Sequence, residues 1–170
     1  MKKGKIVFLS GLTSTGKTSI CKELEKRKKY SYFIMGFDLF EETIPAWSYT
    51  NERYTKAIIA MYHAAKSLAD QGENVIIDGL IMNFQGINHH YALLKDIFKG
   101  YPLQIIDVHC DMDTLRQRNI ERGDRRENQS ETQRLCVDKD VKYDYHIDSG
   151  VYNIEECTDM LVEMIGLSGE

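Results

Sequence analysis

The chain carries the sequence Gly11-Leu12-Thr13-Ser14-Thr15-Gly16-Lys17-Thr18, and this stretch decides its fold. It matches the pattern G-x-x-x-x-G-K-[ST], in which glycines allow successive backbone N–H groups to curl around anionic phosphates. The apolar run Lys5–Leu9 precedes it and predicts a buried strand, and the amphipathic segment Lys17–Tyr30 predicts a helix. This order predicts a phosphate-binding loop, with a Ser/Thr/Gly turn before a helix as the alternative.

Each part of this loop has an expected task if it binds a nucleoside triphosphate. Lys17 would neutralise the β and γ phosphates, and Thr18 would place its hydroxyl on Mg²⁺. The sequence shows no guanine-reading N/T-K-x-D motif, which favours ATP over GTP. We therefore expect ATP and Mg²⁺ as cofactors. The candidate nucleotide-binding residues are Gly11, Leu12, Thr13, Ser14, Thr15, Gly16, Lys17, Thr18 and Ser19.

Length and composition exclude several classes of protein. The 170 residues predict one domain, residues 1–170, and 42% hydrophobic with 28% charged residues exclude wholesale disorder. The net charge of −4 argues against nucleic acid binding through bulk charge, although it is compatible with a local basic patch. The apolar run Ile6–Leu9 is too short for an export signal, and no stretch reaches the roughly 18 apolar residues of a membrane span. We expect a cytoplasmic protein with no nucleic acid or membrane partner.

Strand-like and helix-like segments alternate along the chain, which predicts an α/β fold with parallel strands covered on both faces. In such sheets ligands bind beyond the carboxyl ends of the strands. The further predicted strands are Tyr32–Met35, Val75–Ile77, Leu103–Cys110 and His146–Asp148. The further predicted helices are Asn51–Gln71, His90–Lys99, Asp111–Arg122, a short capping-box helix at Ser130–Gln133, and Asn153–Ile165.

Two aspartates follow predicted strands and are candidates for chemistry. Asp38, in Gly36-Phe37-Asp38, could accept the proton of an acceptor hydroxyl, and the alternative is an N-cap for a helix at Leu39–Thr43. Asp78 ends the strand Val75–Ile77 and could hold Mg²⁺, and the alternative is an Asp-Gly turn. The candidate metal ligands are therefore Thr18 and Asp78.

Five arginines lie close together near the polar loop Gly123–Gln129. Over an active site, guanidinium groups would spread the charge of a transferring phosphoryl group and exclude water. The alternative is a solvated face with ion pairs to neighbouring acids. The five are Arg116, Arg118, Arg122, Arg125 and Arg126.

These residues give the chain a resemblance to the chloramphenicol phosphotransferase family of P-loop kinases. The resemblance covers nearly the whole chain, and the segment Arg118-Asn-Ile-Glu-Arg122-Gly-Asp-Arg125 contributes most to it. It implies a three-layer nucleotide-kinase-like fold with a five-stranded parallel sheet in the order 2-3-1-4-5, and a lid at about residues 116–137. The other matching parts are the loop Gly11–Thr18, Gly36–Asp38, Val75–Asp78, Val108–Cys110, Gln133, Tyr143-Asp144, Ile147–Ser149 and Glu156-Cys157.

The resemblance also implies a reaction, the transfer of the γ-phosphate of ATP to a hydroxyl group of the antibiotic chloramphenicol. It assigns catalysis to Asp38 as base, Lys17 as the phosphate lysine, and Arg118, Arg122 and Arg125 as lid arginines. The sequence departs from the family at Gly79, where a second aspartate is common, and over Glu41–Tyr54, which would meet the acceptor.

The expected function is an ATP- and Mg²⁺-dependent kinase whose partner is a small-molecule hydroxyl acceptor. Three alternatives stay open at this point. They are a kinase of a nucleoside, sugar or shikimate-like metabolite, a non-catalytic nucleotide-dependent switch, and a kinase of nucleic-acid ends, which would require a basic channel.

Overall fold

Parallel strands alternate with helices along the chain, and the computed structural model describes residues 2–83 and 87–166. Residues 1, 84–86 and 167–170 of the predicted domain lie outside the described residues. The strands are β1 (Ile6–Ser10), β2 (Phe33–Gly36), β3 (Val75–Gly79), β4 (Leu103–His109) and β5 (Tyr145–Asp148). The helices are α1 (Lys17–Lys26), α2 (Phe37–Glu41), α3 (Asn51–Asp70), α4 (His90–Ile97), α5 (Met112–Arg122), α6 (Gln129–Cys136) and α7 (Ile154–Met164), with a 3-10 turn at Ala46–Ser48.

The strands form one parallel sheet in the order β2-β3-β1-β4-β5, so the predicted order 2-3-1-4-5 is confirmed. The register aligns Ser10, the last residue of β1, with Gly79 of β3 and Asp107 of β4. Because the strands are parallel, their carboxyl ends meet at one edge of the sheet. The phosphate-binding loop and both candidate aspartates therefore lie at the same edge.

Apolar side chains alternate between the two faces of the sheet, and helices cover both faces. Phe8 and Ile77 point to one face, where they pack with Tyr62 of α3. Leu9 and Ile106 point to the other face, where α1 and α7 cover them. β1 is buried along its whole length because it has a strand on each side and helices above and below. The predicted three-layer fold is confirmed.

Some boundaries differ from those expected from sequence, and local backbone geometry explains the differences. α1 ends at Lys26 rather than Tyr30, because Lys28 adopts a left-handed conformation with φ of 52°. β2 ends at Gly36 rather than Met35, and Gly36 also occupies the N-cap position of α2. The short segment Ser130–Gln133 is part of the longer helix α6, whose N-cap is Asn128.

No helix in the described ranges combines the length and the apolar character that a membrane crossing requires. The four cysteines are free thiols, and Cys21 and Cys157 are buried.

Candidate active site

The phosphate-binding loop joins β1 to α1 in a conformation that requires close backbone approach. A Cβ on Gly11 would lie 2.2 Å from the carbonyl oxygen of Val108, so only glycine fits there. Gly16 has a φ of 95°, and Ser14 also adopts a left-handed conformation, with φ of 62°. Thr15 is buried, and its hydroxyl donates to Leu12 O at 3.0 Å. This hydrogen bond between Thr15 and Leu12 therefore stabilises the conformation of the loop.

The N-terminus of α1 faces an open cavity of about 1390 Å³, lined by Thr13, Ser14 and Lys17 among others. Gly16 supplies no side-chain cap, and no acidic residue lies in the first turn of α1. The first amide N–H groups of a helix have no partner within the helix, and its dipole is positive at that end. The arrangement is therefore suited to an anion such as a phosphate. Of the other candidate nucleotide-binding residues, Gly11, Gly16, Thr18 and Ser19 line the same cavity.

Lys17 lies inside this loop with its ammonium group among oxygen atoms. Its Nζ donates to Gly11 O at 2.7 Å and to Leu12 O at 3.0 Å, and it lies 4.0 Å from Asp78 Oδ1. Burial lowers the pKa of Lys17, whereas the negative charges of Asp78 and Asp38 oppose that shift. Both aspartates are thus close enough to act on the charge of Lys17.

Thr18 and Asp78 lie together at the ends of α1 and β3. The Thr18 hydroxyl donates to Asp78 Oδ2 at 2.5 Å, and the Asp78 side chain is only 11% exposed. A carboxylate beside a hydroxyl offers the oxygen ligands that Mg²⁺ prefers. These two residues therefore fit a Mg²⁺ ion, and the Asp78 carboxylate also faces the Lys17 ammonium.

Asp38 lies in the first turn of α2, and the helix begins at Phe37 with Gly36 in the cap position. The alternative reading of Asp38 as an N-cap is therefore wrong. Its side chain is 72% exposed and lines the cavity, where Oδ2 lies 3.1 Å from Arg125 Nη2. The neighbouring Phe37 ring anchors this turn, because it packs edge-on against Phe8 at a centroid distance of 5.9 Å.

The Phe37 ring also explains why β3 ends in Asp78-Gly79. A Cβ at position 79 would lie 2.4 Å from Phe37 Cε1, so any larger residue would displace the ring that holds Asp38 in place. The second aspartate that the resembling family commonly carries does not fit beside Phe37.

The arginine cluster divides into residues with different partners. Arg118 is partly buried and donates to Ser149 O at 2.7 Å and to Ser14 O at 3.3 Å, which ties the phosphate-binding loop to the end of β5. Arg122 pairs with Asp124 and Arg125 with Asp38, and both line the cavity. Arg126 is exposed and also lines the cavity.

Arg116 has a different role from the other four arginines. It forms ion pairs with Glu131 and Asp113, away from the phosphate-binding loop. The solvated-face alternative therefore describes Arg116, whereas Arg118, Arg122, Arg125 and Arg126 meet at the cavity.

Helix α6, which lies in the predicted lid, contacts the phosphate-binding loop through two residues that are not among the predicted site residues. Gln133 Oε1 accepts from Thr13 N at 2.7 Å, and the Ser130 hydroxyl donates to Thr13 O at 3.3 Å. The capping box predicted for Ser130 and Gln133 is wrong, because both side chains bind this loop instead. Asn119 of α5 is fully buried and accepts from the Ser14 hydroxyl at 2.7 Å. The sequence does not show this burial, and the signal available there is that Asn119 lies between Arg118 and Arg122, in the segment that contributes most to the family resemblance.

The wall beside Asp38 is built from aromatic and acidic side chains. Tyr49 and Tyr54 have ring centroids 6.4 Å apart, and Tyr49 hydrogen-bonds to Glu41. Burial, together with Glu41, raises the pKa of Tyr49 to about 12, so its hydroxyl stays protonated at neutral pH. All three residues line the same cavity as the phosphate-binding loop. This wall offers hydrogen-bonding groups and flat apolar surface to a second ligand.

Comparison with known proteins identifies relatives over nearly the whole chain. The family described as "Chloramphenicol phosphotransferase-like protein" matches residues 4–166. A Mycobacterium tuberculosis protein named "Putative O-phosphotransferase" is 24% identical over 183 residues, covering 92% of this chain and 80% of the relative. The cytidine diphosphoramidate kinase of Campylobacter jejuni is 27% identical over 117 residues, covering 67% of this chain and 65% of the relative.

A solved structure shares the fold. The M. tuberculosis APS kinase CysC in complex with AMPPNP and APS superposes with a TM-score of 0.71 at 17% identity, covering 98% of this chain and 99% of that one.

Proposed function

We propose that this chain, which belongs to the chloramphenicol phosphotransferase-like protein family, transfers the γ-phosphate of ATP to a hydroxyl group of a small molecule with the help of Mg²⁺. The family and the fold are those of phosphotransferases. The observation that carries the finer proposal is that the loop residue Lys17 and the carboxylate of Asp38 open into one cavity. Asp38 and Arg122 are both close enough to Lys17 to act on its pKa.

ATP is the proposed phosphoryl donor. The uncapped first turn of α1 would bind its phosphates, and Lys17 would turn from Gly11 O and Leu12 O toward them. The AMPPNP in the related APS kinase structure supports a nucleotide in this fold. In this chain, Thr18 and Asp78 would hold Mg²⁺, which supplies positive charge beside the phosphates when it is bound.

Asp38 is the proposed catalytic base. The hydroxyl oxygen of the acceptor attacks the γ-phosphorus, the bond from that phosphorus to the oxygen of ADP breaks, and Asp38 takes the hydroxyl proton. Its exposed carboxylate suits this task, because the carboxylate can reach a ligand in the cavity without breaking a buried contact.

Residues 116–137 are the proposed lid of this single P-loop kinase domain. Arg122 and Arg125 would stabilise the charge that spreads over the transferring phosphoryl group, whereas Arg118 would hold the phosphate-binding loop in place. The lid already lies against the phosphate-binding loop, because Gln133 and Ser130 of α6 contact Thr13.

The acceptor is proposed to bind against Tyr49, Tyr54 and Glu41, next to Asp38. Chloramphenicol is one candidate. A kinase of a small metabolite is the second candidate, favoured by the kinase named for a cytidine derivative among the relatives.

The test is a mass-shift screen of the purified chain with ATP, Mg²⁺ and a panel of hydroxyl compounds. The panel contains chloramphenicol, nucleosides, sugars and shikimate, and each reaction is assayed for ADP and for an acceptor heavier by one phosphoryl group. One or more acceptors should gain that mass in step with ADP formation. Tight ATP binding without any phosphorylated acceptor would contradict the proposal and support a nucleotide-dependent switch.

A further inference from the structure

Four residues with metal-ligating side chains form a two-by-two grid on one face of strands β4 and β5. β4 contributes Asp107 and His109, and β5 contributes His146 and Asp148. The parallel register places Asp107 directly opposite His146, and His109 directly opposite Asp148. Because side chains alternate along a strand, all four point to the same face of the sheet. None of the four lines the cavity that contains Lys17 and Asp38.

We propose that Asp107, His109 and His146 bind a divalent transition-metal ion at a site separate from the phosphotransfer cavity. One nitrogen from each histidine and one oxygen from Asp107 all lie within 4.8 Å of one another. Asp107 Oδ2 is 3.0 Å from His109 Nδ1 and 3.1 Å from His146 Nδ1. A zinc ion bound at about 2.0 to 2.2 Å separates neighbouring ligand atoms by about 3 to 3.5 Å. The three side chains thus need only small adjustments to coordinate one ion.

One ring nitrogen of His109 lacks a hydrogen-bond partner among the described residues, which leaves it available to a metal ion. Its Nδ1 is buried and makes no hydrogen bond within the described part of the chain, although Asp107 Oδ2 lies 3.0 Å away. The same carboxylate oxygen already interacts with His146 Nδ1. In the observed geometry this nitrogen of His109 has no hydrogen-bond partner among the described residues, whereas a metal ion would use it as a ligand.

Asp148 lies beside His109 and is not one of the three proposed ligands. Its Oδ2 lies 3.8 Å from His109 Nε2, the ring nitrogen that faces away from Asp107. A metal-binding histidine usually donates its second ring N–H to a carboxylate, which fixes the tautomer and the direction of the ring. A small rotation of the Asp148 side chain would bring Oδ2 within hydrogen-bonding distance of His109 Nε2. Its other oxygen, Oδ1, already accepts from Gly150 N.

The ligand set determines which metals the site would select. Two imidazoles and one carboxylate suit Zn²⁺ and its first-row neighbours, whereas Mg²⁺ and Ca²⁺ prefer oxygen ligands alone. The side chains of His109 and His146 are 44% and 59% exposed, so an ion can enter from solution. A bound ion would fasten the short edge strand β5 to β4, immediately before Ser149, whose hydroxyl donates to Thr15 O of the phosphate-binding loop at 2.6 Å.

Zinc binding to the full chain tests this proposal. The protein is stripped of metal with a chelator and held in excess Mg²⁺, which competes with zinc at the Thr18–Asp78 site. Zinc affinity is then measured by competition with a chromophoric zinc chelator, for wild type, His109→Gln and His146→Gln. The matched controls are His63→Gln, an exposed histidine on α3, and Cys136→Ser, an exposed thiol.

The proposal predicts one zinc equivalent for wild type and both controls, and an affinity lower by at least about 10-fold in each of the two cluster variants. Zinc should also raise the melting temperature of wild type but not that of the two variants, and circular dichroism checks that they fold. Equal zinc affinity in wild type, His109→Gln and His146→Gln would overturn it. So would the absence of stoichiometric zinc binding, or a thiolate charge-transfer band when Co²⁺ replaces Zn²⁺.

Discussion

Arg125 Nη2 lies 3.1 Å from Asp38 Oδ2, and this ion pair joins the loop after α5 to the first turn of α2, 87 residues earlier in the chain. Asp38 is largely exposed, and an exposed ion pair of this kind contributes at most about 1 kcal/mol. The pair can therefore open at little cost. Arg125 would move to the phosphoryl group and leave Asp38 free to bind an acceptor hydroxyl.

Arg125→Gln should lower kcat by about 100-fold and change the KM for ATP much less. The reason is that the guanidinium would act on charge that develops only in the transition state. Steady-state kinetics with the acceptor found in the screen measure this. Arg116→Gln is the matched control, because Arg116 belongs to the same cluster but pairs with Glu131 and Asp113. Equal losses in the two variants would contradict a specific role for Arg125.

Lys17→Met should weaken ATP binding by about 10- to 100-fold, since it removes charged hydrogen bonds to the phosphates. Isothermal titration calorimetry with a non-hydrolysable ATP analogue measures the affinity. Lys26→Met, on the exposed end of the same helix, should bind the analogue as wild type does. Unchanged affinity in Lys17→Met would show that this lysine does not contact the phosphates.

Gly79→Ala should destabilise the fold by about 2 kcal/mol, because its Cβ would collide with the Phe37 ring. That ring has little room to move, since it packs against Phe8, Tyr62 and His90. Urea unfolding measures the free energy. Gly36→Ala is the control, as a Cβ there meets no atom within 4 Å among the described residues. Equal stability of the two variants would show that the Phe37 ring relaxes freely.

His90 should make the protein less stable as the pH falls from about 6.5 to about 4. Burial lowers the pKa of His90 to about 4 in the folded chain, and its ring hydrogen-bonds to the Tyr62 hydroxyl at 2.6 Å. In that pH range the unfolded chain takes up a proton at this histidine and the folded chain does not. The free energy of unfolding therefore decreases, by about 3 kcal/mol over the full range.

Urea unfolding of His90→Gln across this pH range isolates the contribution of His90. The variant should lose less stability than wild type on acidification, because its side chain does not titrate. His63→Gln, at an exposed histidine, should follow wild type. Parallel pH profiles for His90→Gln and wild type would contradict the assignment.

The parallel sheet was predictable because the evidence for its strands and helices is local in sequence. Short apolar runs separated by amphipathic segments require parallel pairing, and the resemblance supplied the order. The loop Gly11–Thr18 was recognisable for the same reason, as its glycines and lysine are adjacent in the chain. Asp38 and Asp78 could be selected because each lies close to the carboxyl end of a predicted strand, and parallel strands end at one edge.

Features that depend on tertiary contacts were not predictable in this way. Arg116 and Arg118 are two residues apart, yet one pairs with surface acids and the other with Ser149. Their partners come from α6 and from the end of β5, which the local sequence does not reveal. The capping-box pattern at Ser130–Gln133 was misleading because both side chains find better partners in the phosphate-binding loop.

Phosphoryl transfer by Asp38→Asn tests the central claim most directly. The variant keeps the shape of the side chain but cannot accept a proton, so transfer should fall by about 10²- to 10⁴-fold while ATP affinity stays nearly unchanged. Asp124→Asn is the control, because Asp124 also lies beside Arg125, with 3.8 Å between Oδ2 and Arg125 Nε, and it should transfer phosphate at close to the wild-type rate. Transfer by Asp38→Asn at the wild-type rate would contradict the account.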